Sequence, residues 1–498
     1  MYLESVKLTR YLIFVLSLLA VLAACAPERV EEPFEPSASH HDYLRALERL
    51  DLDETAMGGR WIAAAREAFA APAIVETPFE EIVLLDPESP SVIAYQFAVD
   101  RGRAVTVTIS TDVERYFADL FRVDAESGPA DSPGGESNGG VVPAGFTLVA
   151  SRPEGGNEIR FEPRRDGVYL LRIQPELLRG GRYTIRIESR ASLAFPVEEA
   201  GPGSIWSFYG DGRDGGARRH EGVDIFAPRG TPVLAVSDSI VIRVGVRDRG
   251  GNVVTLHDEK RDLLLYYAHL EEQLVERGER VFAGDVIGTV GNTGNAITTP
   301  PHLHIGVYQG SWREDVDPWN YFVDPPLVDA PEPSHGDLVG GWVSVRSEGE
   351  LDRFVRAPAA VPRWVNRNPL LRREGAGDSR SARGDAQVVA DAANTSDGEV
   401  ESPPRLPVGA AVQVVGASGG LIRVRTADGS FGFVDPAHVS ASTGEVAVRS
   451  PRTMYDLETG DAFAEVTEGE RVMLLGRVSQ GTIVMRSGGR VGLIRGTL

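Results

Sequence analysis

Cysteine occurs once in 498 residues, at position 25, so no disulfide forms within the chain. Lysine stands only at positions 7 and 260, and acidic residues outnumber basic ones by 72 to 51, giving a net charge of −21. That balance argues against a nucleic-acid binder or an anionic-lipid surface binder, since both need a broad basic face. Apart from one run near the N-terminus, no apolar stretch approaches the length needed to cross a bilayer. Histidine is scarce as well, nine in all. The remaining composition, 42% hydrophobic and 25% charged, is ordinary for a globular protein. A chain of this length exceeds one core and divides into about three or four domains.

The apolar exception follows Lys7 and Arg10: "YLIFVLSLLAVLAA" is too short to span a bilayer comfortably and suits a secretory h-region. It ends in "LAAC", Leu22 to Cys25, which resembles the bacterial lipobox. The resemblance implies a lipoprotein signal peptide over 1–24 and a lipid on Cys25. The protein is then exported and membrane-anchored, periplasmic or at the outer membrane. An ordinary signal peptide with an incidental cysteine is the alternative.

Residues 25–89 read as a Pro- and Glu-rich acidic tether followed by two short helices, 42–50 ("DYLRALERL") and 61–70 ("WIAAAREAFA"). From about 90 the period becomes two. Tyr95, Phe97 and Val99, then Val105, Val107 and Ile109, and later Tyr183, Ile185 and Ile187 alternate with other residues, which predicts a jelly-roll-like β-sandwich over 90–197. The Gly/Pro/Ser-rich stretch 125–145 reads as a long surface loop within it. A second β-rich unit covers 198–325. The C-terminal part repeats itself: "FVRAPAAVPRW" (354–364) parallels "AVRSPRTMYDL" (447–457), and "GLIRVRTADGSFGFV" parallels "GTIVMRSGGRVGLI". Each copy, 336–442 and 443–498, resembles a bacterial SH3-like barrel. The first carries an insertion over 372–404, low in apolar residues and read as disordered. The fold class expected is mostly β.

Five of the nine histidines, at 220, 257, 269, 302 and 304, fall within 198–325. In "PHLHIGVY" (301–308) the surroundings favour a strand, so His302 and His304 point to the same face. "HEGVD" adds His220 and Asp224. With one histidine of the pair these form a His₂Asp set, and three protein ligands plus a water is the open arrangement of a catalytic zinc ion. The remaining histidine of the pair, and His269 in "YYAHL", are then available for acid–base or oxyanion work. His257 reads as a surface histidine, and His40, His41, His335 and His438 have no partners in sequence.

The stretches "WSFYGDGRDGGARRHEGVDIFAPRGTPVLAV", "YYAHL" and "GTVGNTGNAITTPPHLHIGVY" together resemble the LytM-type zinc endopeptidases, also called M23 or lysostaphin-like peptidases. The resemblance covers about a quarter of the chain. It implies that His220, Asp224 and His304 bind Zn²⁺. It also implies that His269 and His302 are the catalytic histidines, which assist water attack and stabilise the tetrahedral oxyanion. Ile305 stands where many members have Phe, and "TTPP" replaces a commoner Ser/Thr-Gly-Pro. The expected function is hydrolysis of peptide cross-links in bacterial peptidoglycan, with the membrane reached through Cys25 and no nucleic acid involved. Cell-division or wall-synthesis proteins are further candidate partners. Arg218 and Arg219, just before His220, either meet substrate carboxylates or are solvated loop charges, the latter being the plainer reading.

Three other readings compete. "HEGVD" as a broken HExxH fails because its fifth residue is Asp and Gly222 weakens a helix. A non-haem iron oxygenase also uses two histidines and a carboxylate, but commonly spaces the first pair as HxD. A non-catalytic wall-binding scaffold, or an activator of other hydrolases, would be marked by loss of a ligand or catalytic histidine, and none is lost.

Overall fold

The structure is a computed structural model that describes residues 39–70, 72–87, 90–124, 141–345, 354–355, 411–425, 431–441, 445–456, 460–478, 481–487 and 490–496. The signal peptide, Cys25, the tether up to residue 38 and the 372–404 insertion lie outside the described residues, as does most of the 125–145 loop. The chain divides into two compact units, residues 1–59 and 60–498.

In the first unit, Ser39 opens the helix His40–Arg49, its hydroxyl oxygen accepting from the Asp42 N–H at 3.1 Å. That bond satisfies one of the first-turn amides that have no partner within the helix. A second helix, Ala56–Ala70, begins a turn earlier than its apolar pattern, because the hydroxyl of Thr55 accepts from the Gly58 N–H at 3.0 Å.

The molecule is mostly β, as the sequence predicts. Ile93–Val99, Arg103–Thr111 and Gly181–Ala191 alternate between buried and more exposed side chains. Tyr95 and Phe97 from one sheet meet Val107, Ile109, Tyr183 and Ile185 from another in a shared core. One strand escapes the period-two pattern. Phe79–Leu85, in a segment read as preceding the sheets, pairs with Gly181–Ala191 on one side and with Ala411–Ser418 on the other. Both its faces are covered, so alternation vanishes and even Glu81 is fully buried. Glu81 is paired with Arg423 at 2.6 Å and accepts from the Tyr95 hydroxyl at 2.5 Å. Ala411–Ser418 continues through Leu421–Arg425 to Phe431–Val434, so part of the first C-terminal repeat shares this sheet. The second repeat has its own six-stranded sheet over a core of Val448, Met454, Val466, Val472, Val484 and Ile494.

A further ten-stranded sheet, drawn from residues 205–316, has every pairing antiparallel. Its centre runs Val223–Phe226, His302–Gln309, Leu263–Gln273, Gly251–Asp258, Ser239–Arg247. Val223, Ile225, Leu303, Ile305, Val307, Leu265 and Tyr267 point into one core. The opposite face of the same strands is therefore left for polar side chains, and it forms the floor of a cleft of about 710 Å³.

Candidate active site

The floor is assembled by register. Asp224 stands directly opposite His304, and Phe226 opposite His302, so one strand brings both histidines and its neighbour brings the carboxylate. His220 arrives from the turn just before. That approach requires Gly222, where a side-chain β-carbon would lie 2.4 Å from the Ile305 carbonyl oxygen and 2.8 Å from the His304 ring. The sequence feature read as a weak helix former is thus a close-packing position.

His269 reaches the same face by a different route. Leu265 and Tyr267 face the core, and strict alternation would send His269 with them. Instead, Tyr267 pairs with Val254 and Leu270 with Asn252, so Ala268 and His269 together stand opposite Val253 alone. His269 occupies the left-handed region at φ 63°, a departure from extended strand backbone that the extra residue of the bulge accommodates. Its N–H donates to the Gly250 carbonyl at 2.7 Å, and its ring turns into the cleft, centroid 5.0 Å from that of His302.

Three atoms converge on the floor. His304 Nδ1 lies 2.9 Å from His220 Nε2 and 3.0 Å from Asp224 Oδ1, and His220 Nε2 lies 3.0 Å from the same oxygen. His220 Nδ1 donates to the Phe208 carbonyl at 2.9 Å, which leaves the Nε2 lone pair facing the cluster. Burial opposes ionisation of Asp224, yet the adjoining His220 and His304 side chains outweigh it and hold its carboxyl far below the usual carboxylate range. Burial likewise lowers the His304 imidazole. Two neutral imidazoles and a carboxylate crowded to 3.0 Å are the donor set of a divalent metal ion with bonds of about 2 Å. The donor set therefore fits such an ion.

The two remaining histidines are held in one tautomer. His302 Nδ1 donates to the Pro300 carbonyl and His269 Nδ1 to the Thr293 carbonyl, each at 2.9 Å, so both Nε2 atoms carry lone pairs. Phe226 stacks on His302 with centroids 5.0 Å apart, and Trp206 stacks on Phe226 at 4.9 Å. Burial, and then the neighbouring His304, lower the His269 pKa to about 4. The unfolded chain therefore binds a proton at this position below about pH 6.5 while the folded site stays neutral until about pH 4. Stability therefore falls as pH drops from about 6.5 to about 4. Denaturant titrations from pH 7 to pH 4 are expected to show a smaller loss for His269→Gln than for the natural chain.

Arg213 was not singled out by the sequence. Its Nη2 donates to Asp224 Oδ2 at 2.6 Å and to the Ser207 hydroxyl at 2.6 Å, fixing the carboxylate so that Oδ1 faces the imidazoles. No spacing rule marks it, because it comes from a hairpin, Gly212–Arg213 with Arg218–Arg219, that folds back over the site. By analogy with outer partners of metal ligands, Arg213→Ala is expected to weaken metal affinity about 10–100-fold, read by competition with a chromogenic chelator. Of the charges noted in sequence, Arg218 lines the cleft, whereas Arg219 pairs with Asp315 at 2.6 Å. His257 lies 3.6 Å from Asp262, and neither it nor His335 nor His438 lines the cleft.

Residues 218–318 match the family model described as "Peptidase family M23". The chain is 40% identical over 90 residues to the peptidoglycan DD-endopeptidase ShyC of Vibrio cholerae, covering 18% of this chain and 20% of that protein. It is 36% identical over 142 residues to the L-Ala--D-Glu endopeptidase of Bacillus subtilis, covering 27% and 42%. It is 30% identical over 237 residues to the uncharacterized lipoprotein YgeR of Escherichia coli, covering 41% of this chain and 89% of that protein. The chain thus spans a fifth of the first relative and under half of the second.

Proposed function

The chain belongs to peptidase family M23, and from that premise we propose that it is an exported zinc endopeptidase that cleaves peptide cross-links of bacterial peptidoglycan. The observation that carries this reading is the convergence of His220, Asp224 and His304 within 3.0 Å, beside two histidines whose Nε2 atoms are free. A bound Zn²⁺ supplies Lewis acidity, lowering the pKa of a water and polarising the scissile carbonyl. His302 and His269 present lone pairs to the same space, so they accept the proton of the attacking water and return it to the leaving amine. In protonated form they face the oxygen on which negative charge develops. Phe226 lines the cleft and stacks on His302, and Trp206, two-thirds exposed, stacks in turn on Phe226.

The proposal extends to the rest of the chain. Cys25 carries the lipid that holds the protein at a membrane, a reading supported by the lipoprotein name of the Escherichia coli relative. The domains proposed are a signal peptide (1–24), tether and helices (25–89) whose last strand, Phe79–Leu85, joins the sandwich sheet, a β-sandwich (90–197), the peptidase domain (198–325) and two SH3-like modules (336–442, 443–498). The partners proposed are peptidoglycan and cell-division or wall-synthesis proteins. The test is digestion of purified sacculi by the full chain in detergent, with muropeptides read by mass spectrometry. Cross-linked dimers should fall to monomers with the metal-loaded protein and persist with a chelator. Dimers that persist under both conditions, while the protein still binds sacculi, replace this reading with the scaffold reading.

A further inference from the structure

The net charge of −21 makes the lining of the cleft unexpected. Five arginines, at 213, 218, 243, 247 and 249, line it against two carboxylates, Glu221 and Asp224. Arg213 is spent on Asp224. Arg243, Arg247 and Arg249 are all exposed, and among the described residues no carboxylate forms an ion pair with them. Asp248 sits between two of them in sequence but does not line the cleft.

The three come from one place. Arg243 and Arg247 lie on the strand Ser239–Arg247, and Arg249 on the turn that leads into Gly251–Asp258. The register runs Arg243 opposite Thr255, Thr255 opposite Tyr266, and Tyr266 opposite Gly306, two residues beyond His304. The arginines therefore form the far wall of the same floor that ends at the metal ligands. Thr255 gives an independent sign of a ligand. It is fully buried, lines the cleft, and its hydroxyl has no hydrogen-bond partner, whereas buried polar atoms are nearly always paired. Tyr266 and the half-exposed Trp312 stand edge-on at 6.0 Å, a platform for the less polar part of what lies there.

We propose that this wall is a subsite for an acidic peptide, in which Arg243, Arg247 and Arg249 receive free carboxylates of the strand being cut, so that carboxylate-bearing stem peptides are preferred over neutral or amidated ones. The inference rests on the peptidase reading only for the identity of the peptide. Guanidinium groups suit the task because they stay charged and meet a carboxylate with paired N–H donors. An exposed pair contributes modestly, so the preference comes from several acting together. A glycine-only bridge offers nothing to this wall.

The test uses the full chain and two cross-linked stem-peptide dimers that differ only in having side carboxylates free or amidated. Affinity is read by calorimetry on the chelator-treated protein and cleavage by mass spectrometry on the metal-loaded protein. The natural chain should favour the free-carboxylate dimer roughly tenfold in both readouts, the ratio shrinking as salt rises. In Arg243→Gln/Arg247→Gln/Arg249→Gln the ratio should approach one. Cleavage with equal preference for both dimers, or a preference unchanged in the triple variant, overturns the subsite while leaving the hydrolase intact. Preferential binding without cleavage in any metal state supports the subsite and removes the hydrolase reading. No binding of either dimer overturns both.

Discussion

Asp224→Ala is expected to empty the metal site and to slow hydrolysis of cross-linked stem peptides on the order of a thousandfold or more. The magnitude follows from the work assigned to the ion: several kcal/mol of charge stabilisation, with each 1.36 kcal/mol worth tenfold in rate. The geometry explains why no neighbour compensates. Oδ1 of Asp224 is the only anionic member of the triad that includes His220 Nε2 and His304 Nδ1, and Oδ2 is committed to Arg213. Without the carboxylate, two neutral imidazoles face a cation next to an uncompensated guanidinium. Asp224→Asn, which keeps the shape, should lose metal nearly as completely. Elemental analysis after gel filtration, with thermal denaturation to show that the sheet persists, checks both variants. Full metal occupancy in Asp224→Ala would remove this residue from the ligand set.

The second large effect separates the proton-handling group from the metal-holding groups. His302→Ala should retain stoichiometric metal yet lose about 10²–10⁴-fold in kcat, the usual contribution of a positioned acid–base group. The separation is credible because His302 shares a strand and a face with His304 but uses its Nδ1 on Pro300 and stacks on Phe226, making no contact with Asp224. Rapid-quench measurement of a single turnover, alongside metal content, tests it. A variant that loses metal along with activity would make His302 a ligand instead.

How much of this was legible in the sequence differs from residue to residue. The shared face of His302 and His304 follows from strand parity alone, and a parity argument survives small errors in strand boundaries. The opposition of Asp224 and His304 does not, because 80 residues separate them and register is set by a core of Val223, Ile225, Leu303 and Ile305 that no local pattern reports. His269 is the instructive case. Parity places it in the core with Leu265 and Tyr267, and only the bulge across Val253, with its left-handed backbone, turns it toward the cleft. The family resemblance named His269 where the periodicity would have buried it. Phe79–Leu85 was missed for the opposite reason: a strand covered on both faces loses the alternation by which strands are found. Arg213 and the Arg243, Arg247 and Arg249 wall left no local trace, since arginine on a loop or a strand face is ordinarily a solvated charge.

The most direct test of the account is a zinc titration of the chelator-stripped full chain, with dimer cleavage followed at each addition. No cleavage is expected without metal, followed by a linear rise that breaks at one equivalent. His304→Ala should show no rise at all. Cleavage by the stripped protein, or a break at two equivalents, would contradict a single ion held by His220, Asp224 and His304.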